Sequence, residues 1–269
     1  MNKAAVLGSP IAHSLSPIIH QCAYQVLGWD WSYERYEVKT GELPDFLSRH
    51  HGHFRGLSLT MPLKEEVLTL VDSLSDQARM TNSANTVVFD ELGSAGFNTD
   101  IAGFRDALRA HEVNIPSEAA VLGGGATARS AIAALDGSAQ RIHVFSRSAH
   151  RNKGLVNSAT KSIVQIHPWE NVEACANYSL IISTTPKGAT DDLQIQNNSG
   201  VFFESLYNPW PTPLLKRWRE AGGVGIDGLD LLVWQALGQL EHMSFDPNEV
   251  KKRKFQLFSL MREQALLAL

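Results

Sequence analysis

The sequence predicts an α/β protein: an N-terminal α/β domain followed by a Rossmann-like, doubly wound parallel-sheet domain. Three observations predict it. Short apolar strand patterns alternate with helical stripes through the first hundred residues. From Ala119 onward strand and helix alternate more regularly, as in a parallel sheet with crossover helices. A glycine triplet, Gly123-Gly124-Gly125, stands between a strand pattern and a helix pattern. At 269 residues the chain is long for one core and comfortable for two. The expected boundaries are residues 1–100, 101–228, and a C-terminal helical segment, 229–269.

Composition narrows the classes. Hydrophobic content of 43% and charged content of 19% are those of an ordinary soluble globular protein. A formal charge of -4 offers no basic footprint, which argues against nucleic acid as a partner. No apolar run is long enough to span a membrane and no signal peptide is evident, so the expected location is cytoplasmic. Cys22 and Cys175 fall in different expected domains and read as small apolar residues, not as a disulfide.

Ala4–Leu7 is a short strand ending in Gly8-Ser9-Pro10. In Ser14-Leu15-Ser16-Pro17, Pro17 suits the first turn of a helix and Ser16 the cap before it. Ile19, Cys22, Ala23, Val26 and Leu27 continue the helical stripe, and Gly28 stops it. Two serines at a strand–loop–helix entry also make a seat for a carboxylate. Trp31–Val38 is a second strand, and Leu43, Phe46 and Leu47 mark a short helix. His50-His51-Gly52-His53 has the look of a metal site, but it lies in a loop without Cys or acidic partners, and no metal is expected.

Leu57 and Leu59 form a strand that runs to Thr60, turns at Pro62 and delivers Lys64 at the mouth of a helix holding Val67, Leu68, Leu70 and Val71. A lysine on such a platform can give or take a proton, although most lysines are simply solvated. Asn85-Thr86 opens another strand through Phe89. Asn98-Thr99-Asp100 precedes the helical stripe Ile101, Phe104, Ala107, Leu108. Asp100 has two readings, the cap of that helix and a carboxylate that pairs with Lys64.

Ala120–Leu122, the glycine loop and the small-residue helix Ala126–Leu135 make a dinucleotide-binding unit, with Gly123, Gly125 and Ala128 spaced as G-x-G-x-x-A. Gly123 permits the turn, and Gly125 lets a pyrophosphate approach the helix N-terminus. The next strand, Arg141–Phe145, ends at Ser146-Arg147-Ser148. Where an NAD site carries an acid for the ribose 2′-hydroxyl, this chain carries Arg147, two hydroxyls and, further on, Arg151. That chemistry suits the 2′-phosphate of NADP. Leu180–Pro186 is a third strand with a polar end, Thr184-Thr185-Pro186. Val201–Phe203 is a fourth, leading to Tyr207-Asn208-Pro209. Thr212 caps a helix over Pro213–Glu220, Val224–Ile226 is a last strand, and Gly228 opens a long apolar helix that carries Leu231 and Gln235.

Read together, Ser14-Leu15-Ser16-Pro17, Leu59-Thr60-Met61-Pro62-Leu63-Lys64, Asn85-Thr86, Asn98-Thr99-Asp100 and Gly123-Gly124-Gly125-Ala126 resemble shikimate dehydrogenase. So do Ser183–Gly188, Tyr207-Asn208-Pro209 with Thr212, and Gly228–Gln235, so the likeness runs over almost the whole chain. Ser58 stands where the family often has asparagine. The resemblance implies an N-terminal substrate domain and an NADP-binding domain, with C-terminal helices folding back toward the first and the active site in the cleft between the two. It implies that Ser14 and Ser16 hold the substrate carboxylate and that Thr60, Asn85, Tyr207 and Gln235 bind the rest of the substrate. Lys64 and Asp100 would form the catalytic pair. Gly123–Ala126, Ser146, Arg147, Ser148, Arg151, Thr184, Thr185, Pro186, Gly228 and Leu231 would hold NADP.

The implied reaction is the reversible, NADPH-dependent reduction of 3-dehydroshikimate to shikimate, by a monomer or homodimer acting on a small-molecule substrate. Two alternatives stand beside it. One is an NAD-preferring quinate/shikimate dehydrogenase, which should carry an acid near Arg147. The other is a catalytically idle paralogue that only senses a ligand.

Overall fold

The computed structural model describes residues 2–50, 52–195 and 199–269. The chain divides into two compact units, residues 1–99 with 232–269 and residues 100–231.

The first unit begins β1 (Asn2–Gly8), α1 (Ser16–Leu27), β2 (Trp31–Glu37), α2 (Leu43–Arg49), β3 (Gly56–Leu59), α3 (Leu63–Glu66), β4 (Ser73–Leu74), α4 (Asp76–Thr81), β5 (Thr86–Asp90) and β6 (Gly93–Phe97). The strands form one mixed sheet in the order β2-β1-β3-β5-β6-β4. β1 runs parallel to both β2 and β3, while β5 is antiparallel to β3 and to β6. A strand enclosed on both faces needs an unbroken apolar run, and Ala4–Leu7 supplies one that is fully buried. Leu7, Leu43, Leu57, Leu63, Val67 and Val87 belong to the core on one side of this sheet. Gly28 ends α1 in the left-handed region at φ 69°, where glycine has no steric penalty.

The second unit contains α5 (Asp100–Ala110), β7 (Glu118–Leu122), α6 (Ala126–Leu135), β8 (Arg141–Ser146), α7 (Asn152–Val156), β9 (Ile163–Pro168), β10 (Leu180–Ser183), β11 (Val201–Glu204), α8 (Pro213–Glu220) and β12 (Val224–Ile226). Its sheet, β12-β11-β10-β7-β8-β9, is parallel at every pairing. The chain winds outward from β7 to β9, then returns to β10 on the other side of β7 and winds out to β12. This is the doubly wound pattern, with its switch point between β7 and β10. Helix α9 (Gly228–Met243) starts at the end of this unit, and most of it, with α10 (Pro247–Lys252) and α11 (Lys254–Leu267), belongs to the first. There α11 packs on α1.

Several local expectations need correction. Ser16 does not cap α1; Leu15 holds that position with no side-chain cap, and Ser16 is already helical. Asp100 is likewise inside the first turn of α5, not before it. The helix carrying Lys64 ends at Glu66, followed by one 3₁₀ turn over Val67–Thr69, so Leu70 and Val71 lie outside it. The strand expected over Leu180–Pro186 is β10, the fourth of the second unit because β9 precedes it, and it stops at Ser183, before the Thr184-Thr185-Pro186 segment. Cys175 is buried and Cys22 only partly so, and both are free thiols.

Candidate functional site

In the first unit, the segments that follow β1 and β3 are stitched together. Ser9 N–H donates to Met61 O at 2.9 Å, and Thr60 N–H donates to Leu7 O at 2.9 Å. The approach is close enough that a Cβ at Gly8 would lie 2.4 Å from Thr60 Cγ2, so only glycine fits. Ser14 and Ser16 are both buried. The Ser16 N–H donates to Ser14 Oγ at 3.3 Å. Arg35 on β2 holds this loop from outside by donating to the carbonyls of Ala12 and Ser14.

Lys64 sits on α3 and is partly exposed. Its carbonyl accepts from Ala84 N–H at 2.8 Å, and Leu59 N–H donates to Asn85 O at 2.8 Å. The Asn85 segment therefore lies beside both the end of β3 and α3. The Asn85 amide orientation is set by its partners. Oδ1 accepts from Thr86 Oγ1 at 2.8 Å, Thr99 N–H at 2.8 Å and Thr99 Oγ1 at 3.1 Å. Nδ2 then faces Gln235 Oε1 of α9 at 3.3 Å. Gln235 is held in turn by donating to Leu232 O at 2.8 Å.

Beneath these groups runs a buried polar chain that sequence reasoning missed. The Tyr33 hydroxyl donates to Ser58 Oγ at 2.6 Å, Ser58 donates to Gln239 Oε1 at 2.8 Å, and Gln239 Nε2 donates to Asn85 O at 3.3 Å. His20 stacks on Tyr33 with ring centroids 4.0 Å apart, and its Nδ1–H donates to Ser16 O at 2.9 Å. Burial lowers the His20 pKa to about 4, against the opposing effect of the Ser16 bond, so the imidazole is neutral at physiological pH. Burial also pushes the Tyr33 phenol well above its ordinary value. Tyr33 reads in sequence only as a strand residue and Ser58 only as a departure from the asparagine common in the family; nothing local marks them as partners.

In the second unit, the glycine loop follows β7 at the switch point of the sheet. Gly123 N–H donates to Phe145 O at 2.9 Å on one side, and Thr184 N–H and Oγ1 each donate to Leu122 O at 2.8 Å on the other. Gly123 has φ +118°, and a Cβ there would sit 2.5 Å from Thr184 Oγ1. Gly125 occupies the cap position of α6 in extended conformation with no side-chain cap, so the first N–H groups of the helix have no such acceptor. Ser146 lies against Gly124, and the Arg151 guanidinium lies 3.5 Å from where a Gly125 Cβ would be. Arg147 and Arg151 are both exposed after β8, and Ser148 N–H donates to Ser146 Oγ at 3.4 Å. A side-chain-free loop, an uncapped helix start and two exposed guanidinium groups fit a phosphorylated dinucleotide. Thr185, Gly228 and Leu231 are buried, Tyr207 is half-buried and Pro186 is exposed. Arg129, buried in the first turn of α6, was not singled out from sequence, because an arginine on a small-residue helix reads as a solvated side chain.

Asp100 is buried and begins α5 immediately after the Asn85-bound Thr99. Among the described residues no group of three or more His, Cys, Asp or Glu side chains could hold a metal ion, and His51 lies outside them. Among the described residues no helix is long and apolar enough to cross a membrane.

A doubly wound sheet with a glycine loop at its switch point, joined to a second α/β unit with hydroxyls and amides at its strand ends, defines a two-domain nucleotide-linked dehydrogenase. The family described as the shikimate dehydrogenase substrate binding domain matches residues 6–87, and a shikimate dehydrogenase (NADP(+)) of Thermus thermophilus is 32% identical over 235 residues, 87% of this chain and 89% of that protein. The chain belongs to the shikimate dehydrogenase family. The shikimate dehydrogenase (NADP(+)) of Caulobacter vibrioides is 33% identical over 248 residues, 88% of this chain and 87% of its own. The crystal structure of Mycobacterium tuberculosis shikimate dehydrogenase superposes with a TM-score of 0.86 at 33% identity, covering 100% of both chains. That of a Thermus thermophilus shikimate 5-dehydrogenase in complex with NADP(H) and shikimate gives 0.85 at 32% identity, again over 100% of both.

Proposed function

We propose that this protein catalyses the reversible, NADP-linked reduction of 3-dehydroshikimate to shikimate. The observation that carries the reading is the convergence, by backbone and side-chain hydrogen bonds, of the segments bearing Ser16, Thr60, Lys64, Asn85 and Gln235 beside one end of the central strands β1, β3 and β5 of the first unit. The Thermus thermophilus relative whose structure is in complex with NADP(H) and shikimate supports both ligands.

Bound NADPH would supply the hydride. Lys64 would donate a proton to the alkoxide oxygen that develops at the reduced carbon, and its ammonium charge would stabilise that oxygen. General acid help of this kind contributes a factor of about 10²–10⁴ in rate. Asp100 would accept a hydrogen bond from the neighbouring hydroxyl and orient the ammonium. Ser14 and Ser16 would bind the carboxylate through their hydroxyls and the α1 N-terminus. Thr60, Asn85, Tyr207 and Gln235 would bind the remaining polar groups. Gly123–Ala126 would cradle the pyrophosphate, with Thr184, Thr185, Pro186, Gly228 and Leu231 along the rest of the dinucleotide. Arg147 and Arg151, with Ser146 and Ser148, would hold the 2′-phosphate.

The NAD-preferring alternative requires an acid where β8 ends, and Ser146-Arg147-Ser148 has none. The idle-paralogue alternative has no specific support, since Lys64 and Asp100 are both present. Two free cysteines fit a cytoplasmic enzyme. Initial rates followed at the nicotinamide absorbance, crossing shikimate and quinate with NADP+ and NAD+, test the proposal. A rate concentrated in the shikimate–NADP+ combination supports it. Comparable rates with quinate or NAD+ overturn the specificity, and silence in all four overturns the activity.

A further inference from the structure

Glu204 closes β11 at the carboxyl edge of the second unit's sheet, and it is wholly buried. Donors from the two ends of the next loop converge on it. Leu206 N–H donates to Oε1 at 3.2 Å, and the Thr212 hydroxyl donates to Oε2 at 3.3 Å. Thr212 Oγ1 also accepts from Leu215 N–H at 3.4 Å as the cap of α8, so its own proton is directed at Glu204. The Ser183 hydroxyl, at the end of β10, and the Ser205 N–H, which donates to Ser183 O at 2.9 Å, also favour the charged form of the carboxyl. Burial pushes its pKa up to about 7, while the surrounding donors pull the other way. Burying a carboxyl is costly, and packing alone would be served by an apolar side chain. Collecting donors from three chain segments is something an apolar residue cannot do.

Those segments matter for the nucleotide site. The bracketed loop carries Tyr207, a group proposed for the substrate, and its start also borders the Gly228 turn of the nucleotide site. Its residues Ser205 and Leu206 form the backbone against which Gly228 packs: a Cβ at Gly228 would meet Leu206 C and O at 2.4 Å and Ser205 O at 2.6 Å. The Ser183 hydroxyl lies 3.3 Å from that of Thr185. We infer that Glu204 is a positioning residue for the dinucleotide site, fixing the Ser205–Leu206 backbone, the Gly228 turn and the Thr184–Pro186 segment relative to one another. The inference rests on the proposed NADP-binding role of this unit.

Binding of NADPH to the enzyme without substrate, titrated by nicotinamide fluorescence at low temperature, tests it. Glu204→Gln places an NH₂ among donors, and Thr212→Val removes one of the two anchors. Each should raise the Kd for NADPH about tenfold, on the order of the loss of one hydrogen bond. The KM for NADPH should rise in step while kcat changes less than about threefold. Thr212→Ser keeps the hydroxyl and should bind as the wild type does. A purely structural role would lower the unfolding midpoint and leave Kd and KM unmoved; that result in Thr212→Val and Glu204→Gln overturns the inference. Where Glu204→Gln does not fold, Thr212→Val against Thr212→Ser decides alone. Wild-type protein that binds no NADPH overturns the nucleotide reading itself, and the inference with it. Normal wild-type binding with unaffected variants overturns only the role of Glu204.

Discussion

Asn85 and Gln235, 150 positions apart in sequence, meet through their side-chain amides at 3.3 Å. One lies just before β5 and the other in the middle of α9. Because Asn85 Oδ1 is engaged by three donors from Thr86 and Thr99, its Nδ2 can only point toward Gln235, and both amides are fixed before any ligand arrives.

Asn85→Ala should therefore carry a structural penalty as well as a functional one. It leaves the buried Thr99 N–H without its side-chain acceptor, at about 1–3 kcal/mol. Gln235→Ala strands fewer groups and should mainly raise the KM for shikimate. Urea unfolding and steady-state kinetics on the single and double variants would show the effects to be non-additive. Simple additivity in both measurements contradicts the proposed coupling.

Gly123→Ala tests the nucleotide loop. The substitution puts a Cβ 2.5 Å from Thr184 Oγ1 and forces alanine to φ +118°. It should lower the unfolding midpoint and weaken NADPH binding by more than about tenfold, since more than about 1.4 kcal/mol is at stake. Thermal unfolding with and without NADPH reads both, and an unchanged ligand-induced shift would count against the loop's role.

Arg147→Ala should act on cofactor choice. Loss of a guanidinium–phosphate contact is expected to raise the KM for NADP+ about tenfold or more and leave that for NAD+ nearly unchanged. An equal effect on both cofactors would place Arg147 away from the 2′-phosphate.

His20 should be visible in stability against pH. Its folded value of about 4 lies below its ordinary 6.5, so on acidification the unfolded chain takes up the proton first. The stabilisation is complete above about pH 6.5 and is lost as pH falls toward 4, by about 3 kcal/mol in all. His20→Phe keeps a ring for Tyr33 to stack on and removes this titration. The stability difference between wild type and variant should then move by about 2–3 kcal/mol between pH 7 and about 4.5, to the disadvantage of the wild type. A constant difference would mean that His20 is not buried neutral.

Much of the nucleotide unit could be read directly. Helices α6 and α8 span the expected Ala126–Leu135 and Pro213–Glu220, and Thr212 caps α8 as its sequence suggests. These elements carry their own local signals: a glycine turn, a Thr-Pro start, a run of small or apolar residues. The first unit was harder because its pairings are long-range. β6 contains Gly93, Ser94, Ala95 and Gly96, poor strand formers that are held by β5 and β4, and β4 is only a two-residue strand made by pairing with β6. Neither was expected. Ser75 before Asp76 does mark the start of α4, where its hydroxyl accepts Ala78 N–H at 3.2 Å, but the helix is short and its stripe weak. In the site, single residues in motifs were visible, whereas the Tyr33–Ser58–Gln239 chain and the Glu204 anchor exist only once distant segments are folded together.

The turnover of Lys64→Ala is the most direct test of the central claim that this lysine supplies the proton in a shikimate dehydrogenase reaction. Measured with saturating shikimate and NADP+, kcat should fall by about 10²–10⁴ while the KM for shikimate stays within about threefold of wild type. A folded variant with near-normal kcat would remove Lys64 from the chemistry and contradict the account.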